Sequence, residues 1–233
     1  MFYITEIDNA ISESFKNYIN YGSRSTEKLK PIHRIIANLL ENIWGNNYDY
    51  HYLDDHRKEK KVTGKYYDKT IDITVTDKYF NVVMCCGIKF VTSNYKQNAN
   101  NYFENMMGET ANIQALSKYP YYQIIILRHN TPYYKRVETT KGVKDSVKYE
   151  IIGKGYIEKY IKLINDIDYP HKPRAIAIIF INLDEKSYKV SNIDPIDIFD
   201  KRFAELVYDN LSLDNFISNI KNYRKYYEEL KIK

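Results

Sequence analysis

Residues 69–92 read KTIDITVTDKYFNVVMCCGIKFVT, and the fold turns on how they are paired. Ile71, Ile73 and Val75 alternate with polar residues, the period of a half-buried strand. Asn81 to Thr92 holds the apolar run Val82-Val83-Met84-Cys85-Cys86, a second strand, and Asp77-Lys78 suits a hairpin connection between the two. Asp72 sits inside the first strand pattern, and Gly87-Ile88-Lys89 ends the second.

Downstream of Ser93-Asn94 the pattern changes to a helix through about Lys118. Ala99, Phe103, Met106, Ile113 and Leu116 recur at helical spacing, and Pro120 closes it. Upstream, Pro31 opens a helix over residues 29–44, with Ile32, Ile35, Ile36, Leu39, Leu40 and Ile43 on its apolar side and Gly45 at its end. The stretch from there to Gly64 is polar and charged and reads as loop or irregular structure. Ile124 to Leu127 and Ala175 to Leu183 are buried strands, and a helix spans about 154–166. Between them lies a basic insert at about 129–150, a long loop or a hairpin. The region from about 195 to 233 is helical in character. No repeat or Gly/Ser linker interrupts the chain, so residues 1–233 read as a single mixed α/β domain, a central mixed sheet flanked by helices.

Composition narrows the class. With 233 residues, 44% hydrophobic and 28% charged, the chain can bury a core and is not a disordered segment. A net charge of +5 is compatible with a polyanionic partner. Basic residues gather in Arg57 to Lys65, Arg128 to Lys148 and Lys221 to Lys225, although a solvated surface is the commoner meaning of such runs. The two cysteines, Cys85 and Cys86, are adjacent, which suits neither a structural bridge nor a metal motif. They read as small buried hydrophobes of a reducing compartment. No apolar run is long enough to span a bilayer and no signal-type stretch opens the chain, so a cytoplasmic protein without membrane contact is expected. His51 and His56 lack the partners of a zinc site, and neither a phosphate-binding glycine loop nor a nucleophile elbow is present.

An acid and a lysine on two aligned strands are what phosphodiester hydrolysis requires. Carboxylates hold a divalent cation, and a lysine orients or deprotonates water and offsets charge on the phosphorane. Asp72 and Lys89, seventeen positions apart, resemble the paired positions of the PD-(D/E)XK nucleases, where an Asp on one strand faces an acidic-x-Lys triplet on the next. The polar run Ser93 to Asn101, continuing through Tyr102-Phe103-Glu104 and Gly108-Glu109-Thr110-Ala111-Asn112, is similar to type II restriction endonucleases of that superfamily. The resemblance covers about residues 35–116. It implies a restriction-endonuclease-like core and sequence-specific, Mg2+-dependent cleavage of double-stranded DNA by a homodimer. It also implies a cognate DNA methyltransferase in the same system.

One position departs from the pattern. Gly87 stands where the triplet acid belongs and cannot bind metal. Three explanations follow: the second carboxylate has migrated to the next helix, Gly87 silences an enzyme, or the chain is an inactive DNA-binding protein on the same fold. The first assigns Asp72, Lys89 and Glu104 as catalytic, with Asp72 and Glu104 on the metal. Glu104 lies fifteen residues past the lysine and shares a helical face with Gln97, Asn100 and Asn101. Glu109 is the alternative ligand, and Glu41 on the early helix is an auxiliary acid. Gly87→Glu, by gain of cutting, would expose a silenced enzyme. Candidate DNA-contacting residues are Lys96, Gln97, Asn98, Asn101, Arg128, Lys135 and Arg136.

Overall fold

A computed structural model describes residues 2–22, 25–116, 119–139 and 142–231. Two helices, α1 (Phe2–Tyr21) and α2 (Lys30–Trp44), precede four strands: β1 (Tyr48–Tyr52), β2 (Lys60–Thr63), β3 (Asp68–Ile71) and β4 (Ile73–Asp77). Then follow β5 (Val82–Val91), α3 (Tyr95–Gln114), β6 (Tyr121–Arg128), β7 (Asn130–Thr139) and β8 (Gly142–Ile151). The chain ends with α4 (Glu158–Ile164), β9 (Ala175–Asp184), β10 (Lys189–Asn192), α5 (Pro195–Ile198), α6 (Lys201–Leu211) and α7 (Leu213–Lys231).

The main sheet has six strands in the order β1-β4-β5-β6-β9-β10. Its centre, β5-β6-β9, is parallel, while β1, β4 and β10 add antiparallel edges. Parallel neighbours need a crossover that covers a face, which α3 and α4 supply and which buries these strands on both sides. Alternate residues therefore feed two cores. Tyr122, Ile124, Ile126, Ala177 and Ile179 pack with Ile36, Leu40 and Trp44 of α2 and Phe216 of α7. Ile125, Leu127, Ile176, Ile178 and Phe180 pack with Tyr95, Ala99 and Met106 of α3 and Tyr160 of α4. Each fully buried Leu, Ile or Phe side chain contributes about 1.5–3 kcal/mol relative to exposure.

The predicted hairpin is present as β4 and β5, with Ile73 opposite Cys86 and Val75 opposite Met84. Cys85 and Cys86 are free thiols in the interior. The stretch before Gly64, expected to be irregular, holds β1 and β2. Both are short and polar, and β1 is an edge of the main sheet, so neither carries the apolar run that marks a central strand. β2 and β3 form a separate two-stranded ladder, and the basic insert is a hairpin of β7 and β8. No helix among the described residues is long and apolar enough to cross a membrane.

Candidate active site

Asp72 occupies a bend between β3 and β4, where the chain leaves the small ladder and enters the main sheet. Two registers meet there. In the β4–β5 pair Ile73 faces Cys86, so the next step brings Asp72 opposite Gly87. In the β2–β3 pair Lys60 faces Ile71, so the next step brings Glu59 opposite Asp72. The bend fixes the carboxylate by one strong bond: Asp72 Oδ2 accepts from the Ile88 backbone N–H at 2.6 Å.

The small ladder is itself tied down. Asn112 of α3, 2% exposed, accepts from Tyr66 N at 2.9 Å through Oδ1 and donates from Nδ2 to Tyr67 O at 2.9 Å. Its backbone carbonyl takes Lys65 N at 2.7 Å. The turn at its tip packs so closely that a Cβ on Gly64 would lie 2.1 Å from Asn112 Nδ2.

On one side of Asp72 stand Glu59 and His33, the latter from the first turn of α2. One ligand atom from each of His33, Glu59 and Asp72 lies within 4.8 Å of the others. His33 is 0% exposed, and neither ring nitrogen has a hydrogen-bond partner. Its Nδ1 is 3.8 Å from Glu59 Oε1. Burial holds the imidazole below its ordinary pKa, against the pull of Asp72, and so favours the neutral ring. Burial, and then the neighbouring Asp72, push the Glu59 carboxyl above its usual range. Two acids forced together beside a neutral, unpaired imidazole form a donor set that a dication would satisfy. Donors at about 2.1 Å from one ion lie about 3–4 Å apart, so the three need close by no more than about 1–2 Å.

On the other side lies Lys89, with Glu109 above it. Glu109 Oε1 is 2.8 Å from Lys69 Nζ and 3.9 Å from Lys89 Nζ. Glu109 Oε2 accepts from the Tyr121 hydroxyl at 3.3 Å. Burial disfavours the Lys69 charge, but the bond to Glu109 and the negative charges of Glu109 and Asp72 together outweigh it and leave the ammonium above its ordinary pKa. Tyr121 is driven far above the usual phenol range by burial, by Glu109 and by Asp72, so its hydroxyl keeps its proton and donates it.

Gly87 is enclosed. A Cβ built there would lie 2.2 Å from the Tyr121 hydroxyl and 2.8 Å from Gln123 Oε1. Both neighbours are buried, at 1% and 0% exposed, and Gln123 donates to the Gly87 carbonyl at 2.9 Å. The site is thus packed around a glycine, with the tyrosine hydroxyl where a side chain would begin.

Several sequence-derived assignments land elsewhere. Glu104 is exposed on α3 and acts on Lys159 of α4; the α3 carboxylate beside Lys89 is Glu109. The reason is helical phase. Glu104 belongs to the polar stripe that faces water, while Glu109 adjoins Thr110 and Ile113 on the buried side. Glu41 is exposed on α2, whereas His33, on the same helix, joins the site. Arg128 is 5% exposed, ion-paired to Glu185 at 2.8 Å and over the Tyr149 ring, so it is not presented to a groove. Gln97 donates to Glu150 of β8 at 2.8 Å, and Asn98 donates to the Asn94 carbonyl at 3.0 Å. Lys96 lies over the Tyr156 ring, and Asn101 and Lys135 are exposed. Arg136 faces Asp145 in the β7–β8 register; its side chain lies outside the described residues.

Sequence reasoning passed over His33, Glu59 and Lys69. His33 did leave a signal: it stands at helical spacing from Ala37, Leu40 and Trp44, so an imidazole falls in an otherwise apolar buried stripe. Glu59 left none, being one acid in the charged run Arg57 to Lys61. No protein-family model matches the chain, and no curated protein matches its sequence.

Proposed function

We propose that the protein is a metal-dependent endonuclease of double-stranded DNA, built on a restriction-endonuclease-like core and resembling type II restriction enzymes. The observation that supports it most is that the β4–β5 register sets Asp72, which clusters with Glu59 and His33, level with Gly87, two positions before Lys89 and its partner Glu109.

Asp72, Glu59 and His33 would hold a divalent cation, Mg2+ by the resemblance. When bound, such an ion polarises a scissile phosphate and activates water as a nucleophile. Lys89 would orient an attacking water and offset the charge growing on the phosphorane, with Glu109 fixing where the ammonium points. Tyr121 and Lys69 in turn fix Glu109, so its carboxylate is a positioning group. The acid missing at Gly87 is replaced by donors from outside the hairpin.

The β7–β8 hairpin is the element suited to a DNA groove. It carries Lys135, Arg136, Lys144 and Lys148, and it docks on the start of α3 through Asn94 N to Pro132 O at 2.8 Å and Tyr134 N to Asn94 Oδ1 at 3.0 Å. A homodimer would match the two-fold symmetry of a palindromic site, and a companion methyltransferase would protect the host's own copies.

Lys89→Ala tests the reading. The variant should bind DNA as the parent does, with a cutting rate at least about 100-fold lower. Cutting at the parent rate would refute the assignment.

A further inference from the structure

The three donors differ in kind, and the difference bears on which ion the site takes. Mg2+ favours oxygen ligands in near-ideal octahedral geometry and keeps several waters. Imidazole nitrogen is a ligand of transition-metal dications, whose affinities for mixed nitrogen and oxygen sites rise from Mn2+ through Co2+. His33 has 0% exposure, with neither ring nitrogen hydrogen-bonded. A buried imidazole without partners forgoes its bonds to water and is retained at a cost unless something completes it. Glu59 and Asp72 bring their oxygens within the same 4.8 Å cluster. One Asp72 oxygen is engaged with Ile88 N, which fixes the carboxylate's orientation and leaves the other oxygen for a ligand.

We propose that His33, Glu59 and Asp72 form a one-imidazole, two-carboxylate site selective for a transition-metal dication of the Mn2+–Co2+ class over Mg2+. The inference rests on the reading of Asp72 as the metal-binding acid, and it names the ion that acid shares with His33. Lys89, Lys69 and Glu109 take no part in this donor set; Glu109 is already occupied by both lysines and Tyr121.

The test is made on the whole protein without DNA. Titration calorimetry with CoCl2, MnCl2 and MgCl2 should give one site, with Co2+ and Mn2+ bound at least about ten-fold more tightly than Mg2+. His33→Gln should reduce that preference to within about three-fold, with the metal-free variant still folded at pH 7.5, where the imidazole of the parent is neutral. Electron spin-echo spectra of the Mn2+-loaded parent should show coupling to one directly bound 14N nucleus, a readout that needs no variant. Equal affinity for Mn2+ and Mg2+, an unchanged preference in His33→Gln, or absence of the 14N coupling would overturn the proposal. DNA cleavage is scored separately. Tight Mn2+ binding through His33 with intact DNA would sustain this site and defeat the nuclease reading. Cleavage with no metal preference would do the reverse.

Discussion

Replacing Gly87 with alanine puts a methyl group into space already taken. The nearest atom, the Tyr121 hydroxyl, would be 2.2 Å away, with Gln123 Oε1 at 2.8 Å and Tyr121 Cζ at 3.1 Å. None belongs to a floppy chain end, because both side chains are buried and hydrogen-bonded. Overpacking of this kind costs about 1–3 kcal/mol. Displacing the hydroxyl from Glu109 adds about 1 kcal/mol, so a loss of about 2–4 kcal/mol is expected. Tyr121→Phe alone should cost about 1 kcal/mol, since it removes only that bond. In the double variant the atom at 2.2 Å is gone, and its cost should fall short of the sum by about 1–2 kcal/mol. Urea unfolding of the four proteins, read as midpoint shifts at constant slope, measures this coupling. A Gly87→Ala protein within about 0.5 kcal/mol of the parent, or strictly additive costs, would refute the reasoning. The same contacts predict that Gly87→Glu loses stability, measured by urea unfolding, while gained cutting in that variant would support a silenced triplet.

Glu104→Ala should cut DNA at the parent rate, whereas Glu109→Gln, which leaves Lys89 without its ion-pair partner, should slow it at least about ten-fold; the reverse order would restore Glu104 as the second acid. Asn112→Ala removes the side-chain bonds to Tyr66 and Tyr67 and should cost about 1–3 kcal/mol by urea unfolding, with weaker metal binding because the ladder carrying Glu59 and Asp72 is released. Glu59 has a raised folded-state pKa, from burial and then Asp72, so the metal-free protein should lose stability as pH rises through the window above the ordinary value of 4.5. His33, lowered by burial, acts oppositely and should cost stability as pH falls below 6.5. Saturating Mn2+ should therefore raise the melting temperature more at pH 7.5 than at pH 5, where protons compete for both ligands, and an equal rise at both values would contradict this.

What the sequence disclosed follows from where burial is complete. β5, β6 and β9 are covered on both faces, so Val82 to Cys86, Ile124 to Leu127 and Ala175 to Leu183 are unmistakable apolar runs. β1 and β2 are short and carry polar side chains, and their pairing is set by tertiary neighbours that no window of residues contains. Asp72 and Lys89 stand out because a charge interrupts an apolar pattern. Glu104 and Glu109 are both helical glutamates, and only the rotation of α3 on the sheet distinguishes the solvent-facing one from the site-facing one. Glu59 and His33, beside a ladder and on a helix, meet Asp72 only after folding, 13 and 39 positions from it and without any fixed motif spacing.

The central claim is that Asp72 anchors a metal-dependent cut in DNA, and the most direct measurement is digestion of plasmid DNA by the purified protein with Mn2+ or Mg2+. Discrete fragments are expected, lost on chelation and restored by added metal, and lost in Asp72→Ala while that protein remains folded. Intact plasmid across varied sequences and both metals, or cutting that survives chelation or Asp72→Ala, would contradict the account.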